Sequence, residues 1–277
     1  MTMQQAENQF NELANYLVVR AINICPVPYE VEDEISTVFC LEYESLENSI
    51  NHCRYIFNQE FKELFHLELK GILECQYSRV KFLLSRCLAI CDEPTLTSFV
   101  FACAFIFHMI FCWFTERNCY QIITDCRFCL CSLYKRKLCS IFRTPGDYEQ
   151  LKLFCKDVHG ILSPKLENEE LSAALDCLPD RGQGLFGLME KCITASEKAF
   201  SLNHLEVEFC ERERIRTLNN LKRHFGNATQ NIVLPGHSAL DQSLDNFERD
   251  QVDTNNTNDT MESESEICEF CGFKCGL

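Results

Sequence analysis

Twenty cysteines and seven histidines are the side chains in this 277-residue sequence most able to do chemistry. Their spacing decides which chemistry that is. Cys126, Cys129 and Cys131 open with a metal-like interval, but they fall inside an apolar-periodic run with no second pair nearby, and zinc takes four ligands in a tetrahedron. Packing as small hydrophobes is the expectation there, as it is for Cys87, Cys91, Cys103 and Cys112. Cys268, Cys271 and Cys275 differ, because their surroundings are acidic and polar and leave them no core to fill. Three thiols without a nearby histidine make half a zinc site, to be completed by a second copy, a partner chain or Cys210. Acylation, with the membrane attachment it brings, is an alternative, and an unmodified tail is a third. His108 is the one polar side chain in FVFACAFIFHMIFCWF, residues 99–114, and has no acid or nucleophile beside it. It is expected to be a satisfied core histidine. No phosphate loop, nucleophile elbow or paired zinc motif is present, and the chain is expected to be non-enzymatic, without a cofactor or small-molecule substrate.

The elements that carry these residues read as helices. Phe10, Leu13, Ala14, Leu17, Ala21 and Ile24 recur at three-or-four spacing and predict a first amphipathic helix over residues 5–24, stopped by Pro26 and Pro28. An acidic linker over 30–34 follows. Helical periodicity then runs over 36–68, in one or two pieces, with a break expected at Gly71 and a third helix over 75–90. Asp92 is placed to cap the next helix, with Pro94 in its first turn; this is the uniformly apolar stretch, uncharged from 94 to 115. A polar corner at 116–118 returns the chain into an amphipathic helix over 120–142, whose outward face is expected to carry Asp125, Arg127, Lys135, Arg136 and Lys137. Asp147 with Gln150 resembles a capping box for a short helix ending near Gly160. Further helices are predicted over 166–178 and 186–225, the second bending near 201–204.

Gly and Pro are scarce, at 10 and 7, which favours an all-α protein. The expected domains are a helical bundle over 5–160, an accessory helical region over 165–225, and a disordered acidic tail over 226–277 that holds ten acids against Arg249 and Lys274. The formal net charge of −15 argues against nucleic acid as a partner. The polar N-terminus is not a secretory signal, which points to a reducing compartment. A helix apolar on every face needs either other helices or lipid around it.

The plan of amphipathic helices around one apolar helix resembles the B-cell-lymphoma-two (Bcl) family of apoptosis regulators, over about residues 10–157. Gly146, Asp147 and Tyr148 stand where the family's second homology motif has Gly-Gly-Trp, and Ser98 stands where the first motif has its arginine. Residues 46–61 align with the third homology helix: Leu46 on its leading leucine, Ile50 and Asn51 on its Gly-Asp pair, Phe57 and Phe61 on groove aromatics. The resemblance implies a Bcl-like bundle around a buried central helix and a hydrophobic groove lined by Phe57, Phe61, Leu64, Val80, Leu84, Ser98, Val100, Phe105 and Tyr148. It implies that amphipathic helices of pro-apoptotic partners bind there, in an inhibitory regulator that is cytoplasmic or peripheral on mitochondrial or other intracellular membranes. Thr95, Leu96, Thr97 and Ser98 replace the family's Asn-Trp-Gly-Arg, Ile50 is larger than the family's glycine, and there is no apolar anchor at the C-terminus. Two alternatives stay open: an integral membrane protein with a hairpin over 96–115 and 120–142, and a helical adaptor with a metal-binding cysteine-rich tail.

Overall fold

The computed structural model describes residues 2–25, 43–117, 119–166, 175–178 and 182–225. The acidic linker, most of the helix expected over 166–178, and the acidic tail with Cys268, Cys271 and Cys275 lie outside the described residues. Within them the chain is all-α, with nine α-helices and no strand. In chain order these are α1 (Met3–Asn23), α2 (Glu44–Ile56), α3 (Asn58–Glu74), α4 (Gln76–Ile90), α5 (Leu96–Arg117), α6 (Gln121–Arg136), α7 (Pro145–Leu166), α8 (Gln183–Thr194) and α9 (His204–Phe225), with a 3-10 turn at Leu138–Ser140.

The apolar stretch becomes α5, and 16 of its 22 residues are buried. It packs against α1, α2, α3, α4, α6 and α8. A helix with apolar side chains around its whole circumference has no solvent face, so its neighbours must enclose it. Each neighbour has one apolar stripe and supplies one wall. Phe10, Leu13, Ala14, Leu17 and Ala21 turn α1 inward, while Leu46, Ile50 and Cys53 do so for α2. The buried side chains form one continuous hydrophobic cluster, which includes Leu185, Met189 and Cys192 of α8 and Phe209 and Cys210 of α9. Among the described residues, α5 is the one helix long and apolar enough to cross a membrane.

Several element boundaries depart from the sequence reading. The break expected at Gly71 falls instead at Cys75, whose extended backbone (φ −161°, ψ 165°) separates α3 from α4, and Gly71 lies within α3. The long second helix divides at Phe57, where φ −105° and ψ 24° interrupt the spiral. The N-terminus of α5 is capped by Thr95 rather than Asp92: the Ser98 amide donates to Thr95 Oγ1 at 3.0 Å and the Thr95 amide to Ser98 Oγ at 2.9 Å. Two reciprocal bonds satisfy amides that a lone acid would have served singly. Asp147 sits inside the first turn of α7 and reaches back, its Oδ2 accepting from the Arg143 and Thr144 amides at 2.7 Å each. Desolvation pushes its carboxyl up, but the hydrogen bonds from Thr144 and Arg143 and the Arg143 charge together outweigh it and hold the carboxyl below its ordinary value. α7 continues past Gly160 to Leu166. The helix predicted over 186–225 is two helices with a break over 195–203, where Glu197 leaves the spiral to pair with Arg86.

Candidate functional site

α8 opens at Gly182, whose left-handed backbone (φ 74°) favours a residue without Cβ. From there Leu185, Met189 and Cys192, spaced four and three apart, make one buried stripe facing α4 and α5. Phe186 stands beside that stripe, edge-on to Phe57 with ring centroids 5.5 Å apart. Behind Phe57 runs a continuous aromatic row: Phe57 meets Phe101 at 5.2 Å, Phe101 meets Phe61 at 5.6 Å, and Phe61 meets Phe105 at 5.9 Å and His108 at 5.6 Å. An amphipathic helix of this chain therefore lies on α4 and α5 and reaches the junction of α2 and α3.

The residues expected to line a groove are all covered. Phe57, Phe61, Leu64, Val80, Leu84, Ser98, Val100, Phe105 and Tyr148 are each at most 5% exposed. Ser98 takes part in the α5 cap, so its hydroxyl is engaged locally. Tyr148 packs on Phe142 and donates from its hydroxyl to the Ala6 carbonyl at 3.5 Å, joining α7 to α1. Leu46 and Ile50 are core residues of α2, while Asn51 is half-buried with its Oδ1 atom enclosed and without a donor.

Two ion pairs tie the α8–α9 layer to the bundle. Arg86 of α4 is 2% exposed, pairs with Glu197 in the connection after α8, and lies over the Phe82 ring at 3.9 Å. Arg136 at the end of α6 holds Glu206 through both carboxylate oxygens, the Nε contact measuring 2.8 Å. Glu206 in turn accepts from the Asn203 amide, and Asn203 Oδ1 accepts from the Glu206 amide, a reciprocal cap that starts α9. Phe209 of α9 then stacks on Phe128 of α6, with centroids 3.7 Å apart and planes 1° from parallel.

A second polar network was missed at the sequence level. Asp125, expected on the outward face of α6, is fully buried. Its two oxygens accept from Arg79 Nε at 2.8 Å and Gln76 Nε2 at 2.5 Å, and Arg79 lies over Trp113 at 5.1 Å. Burial raises the Asp125 carboxyl above its ordinary value, opposed by the Arg79 charge and by the two hydrogen bonds. Arg127 and Lys135 are exposed as expected, but the outward placement of Asp125 was wrong, because Arg79 and Gln76 make an inward carboxylate tolerable.

His108 is buried as expected, but it is not satisfied: neither ring nitrogen has a hydrogen-bond partner. Desolvation, together with the positive charges of Arg54 and Lys62, lowers it to about 4. The cysteines within the helices behave as apolar side chains. Burial pushes Cys25, Cys53, Cys91, Cys112, Cys155, Cys192 and Cys210 up to about 12, and raises Cys126 and Cys129 as well. Thiols held neutral in this way are poor nucleophiles and poor metal ligands. Among the described residues, no group of three or more His, Cys, Asp or Glu side chains is arranged to hold a metal ion.

No family model, curated protein or solved structure matches the chain. The functional reading therefore rests on the α8 contact and on the sequence.

Proposed function

We propose that this chain is a non-enzymatic regulator of cell death that receives amphipathic helices of pro-death partners on the surface formed by α2, α3, α4 and α5, and that it acts as an inhibitor. The observation that carries the reading is the seating of α8. An amphipathic helix with one apolar stripe already lies on α4 and α5, with Phe186 against Phe57, beside residues that the resemblance to the Bcl family implies would line a groove. Helix-in-groove recognition uses anchors at such spacing. The enclosure of α5 by six helices supports the same reading, because a membrane hairpin would require that helix to leave all of them.

In this conformation a partner helix competes with α8. Its apparent affinity falls by the fraction of molecules in which α8 is displaced. The test is fluorescence polarisation with labelled amphipathic helices from pro-death proteins, using the full chain and a Met189→Glu variant. Burying a carboxylate at the Met189 position unseats α8, so the variant is expected to bind at least about tenfold more tightly. Absence of binding to both folded proteins, with normal death rates in cells expressing either, overturns the proposal.

A further inference from the structure

His52 of α2 and His159 of α7 face each other, with His52 Nε2 2.9 Å from His159 Nδ1. Their ring planes are 9° from parallel and their centroids 5.2 Å apart. Parallel rings at that separation bring two nitrogens to 2.9 Å only by meeting edge to edge, so each nitrogen points along its own ring plane at the other. One of the two must carry the proton and the other must present a lone pair, since two protonated nitrogens would repel and two bare ones would have nothing to share.

We propose that this pair is a binding site for a borderline divalent metal ion, Zn2+ foremost, with His52 and His159 as its protein ligands and water at the remaining positions. Imidazole nitrogen suits zinc, whose bonds of about 2.0–2.1 Å and near-tetrahedral angles set two such nitrogens roughly 3.3 Å apart. To admit the ion the nitrogens have to separate by about 0.4 Å and each imidazole has to turn by about 35°, so that the two lone pairs, which now lie on one line, converge on the metal. No net proton is released when the neutral pair binds: the proton on the facing nitrogen moves, through solvent, to the other nitrogen of the same ring. Both facing lone pairs are then free for the metal.

The supports are rigid and the pair lies partly at the surface. One turn before His52, Ser49 Oγ donates to the Cys155 carbonyl at 2.9 Å, and Cys155 is one turn before His159, so the register of α2 on α7 is fixed beside the pair. Ligands on packed helices are held more tightly than ligands on loops. Both histidines are half-buried, and a Cβ placed at Gly160, next to His159, would meet no atom within 4 Å. The bound ion would fasten α2 to α7, independently of what the α8 surface receives.

The test is thermal melting of the reduced full chain at pH 7.5 with ZnCl2, alongside nitrogen-detected spectra of its histidines. At a tenfold excess of zinc over its dissociation constant the melting temperature is expected to rise by about 3 °C. His52→Gln and His159→Gln should each abolish the rise, whereas a Cys268→Ser, Cys271→Ser, Cys275→Ser variant should keep it. In the wild-type protein the His52 Nε2 and His159 Nδ1 resonances should move on zinc addition. No zinc-dependent change at these two nitrogens overturns the proposal, even if one variant fails to fold. A rise that survives both histidine substitutions, or disappears only with the cysteines, overturns it as well.

Discussion

The central helix α5 and the covering helix α8 both bury apolar stripes in the same core, yet different forces hold them. α5 is enclosed on every side and keeps its place through dispersion and the removal of its side chains from water; apart from its cap, its interior is nearly without polar bonds. α8 buries three side chains, leaves Phe186 42% and Ile193 51% exposed, and is followed by the buried-charge contact of Arg86 with Glu197. The difference teaches that the bundle can survive the loss of its cover but not of its axis. A layer held by a short stripe and an ion pair can open while the remaining walls stay closed.

The strongest way to break this comparison is to remove packing from the axis. Phe105→Ala should cost about 4 kcal/mol of unfolding free energy, because its fully buried ring touches both Phe61 and Phe82 and leaves a cavity. Chemical denaturation followed by circular dichroism measures it; a loss below about 1 kcal/mol would mean that α5 is not the stabilising axis.

A smaller effect should come from His108, a buried polar side chain in that axis. His108 has a folded-state pKa of about 4, below its ordinary 6.5, so the folded protein binds fewer protons than the unfolded chain. Its stability contribution is therefore complete above pH 6.5 and is lost as pH falls toward 4, by about 3 kcal/mol. Asp125 acts in the opposite sense, since its raised carboxyl makes the folded state take up protons more readily than the unfolded one. Comparing His108→Leu with the wild type isolates the histidine. The variant should be more stable at neutral pH and should lose the acid-dependent fall between 6.5 and 4, as read from denaturation midpoints across that range. An unchanged pH profile would show that His108 is not the group responsible.

The smallest expected effect is at the cover. Glu197→Ala should lower the opening free energy of α8 by about 2 kcal/mol, the usual weight of a hydrogen bond to a charged group, with little change in α5. Hydrogen exchange separates the two: amides of α8 should exchange faster while those of α5 keep their protection. Equal acceleration in both helices would mean that axis and cover unfold as one unit, and the distinction between them would fail.

Much of the architecture was legible in local pattern. The apolar run at 99–114 admits only a helix surrounded by other helices or by lipid, and the stripes of α1, α2 and α4 follow from their three-or-four spacing. The less legible features are pairings between segments distant in the chain. Asp125 looked like a surface acid because α6 was read without Arg79 and Gln76, and the break over 195–203 was placed too late because nothing local announces that Glu197 turns to Arg86. The His52–His159 contact likewise joins residues 107 positions apart. For the candidate site, the sequence identified Phe57, Phe61, Val80 and Leu84 as apolar positions facing one way, but not that α8 of the same chain would lie nearby on α4.

The sequence by itself determined that the protein is helical and that α5 must be covered on every face, and it favoured packing for the internal cysteines, since periodicity and uniform hydrophobicity act over a few turns. Only the tertiary structure decided which helix covers α4 and α5, which charges are buried in pairs, and that two histidines meet nitrogen to nitrogen. Those outcomes depend on how distant side chains share a confined space: a buried charge or lone pair is tolerable only when a particular partner from another segment reaches it.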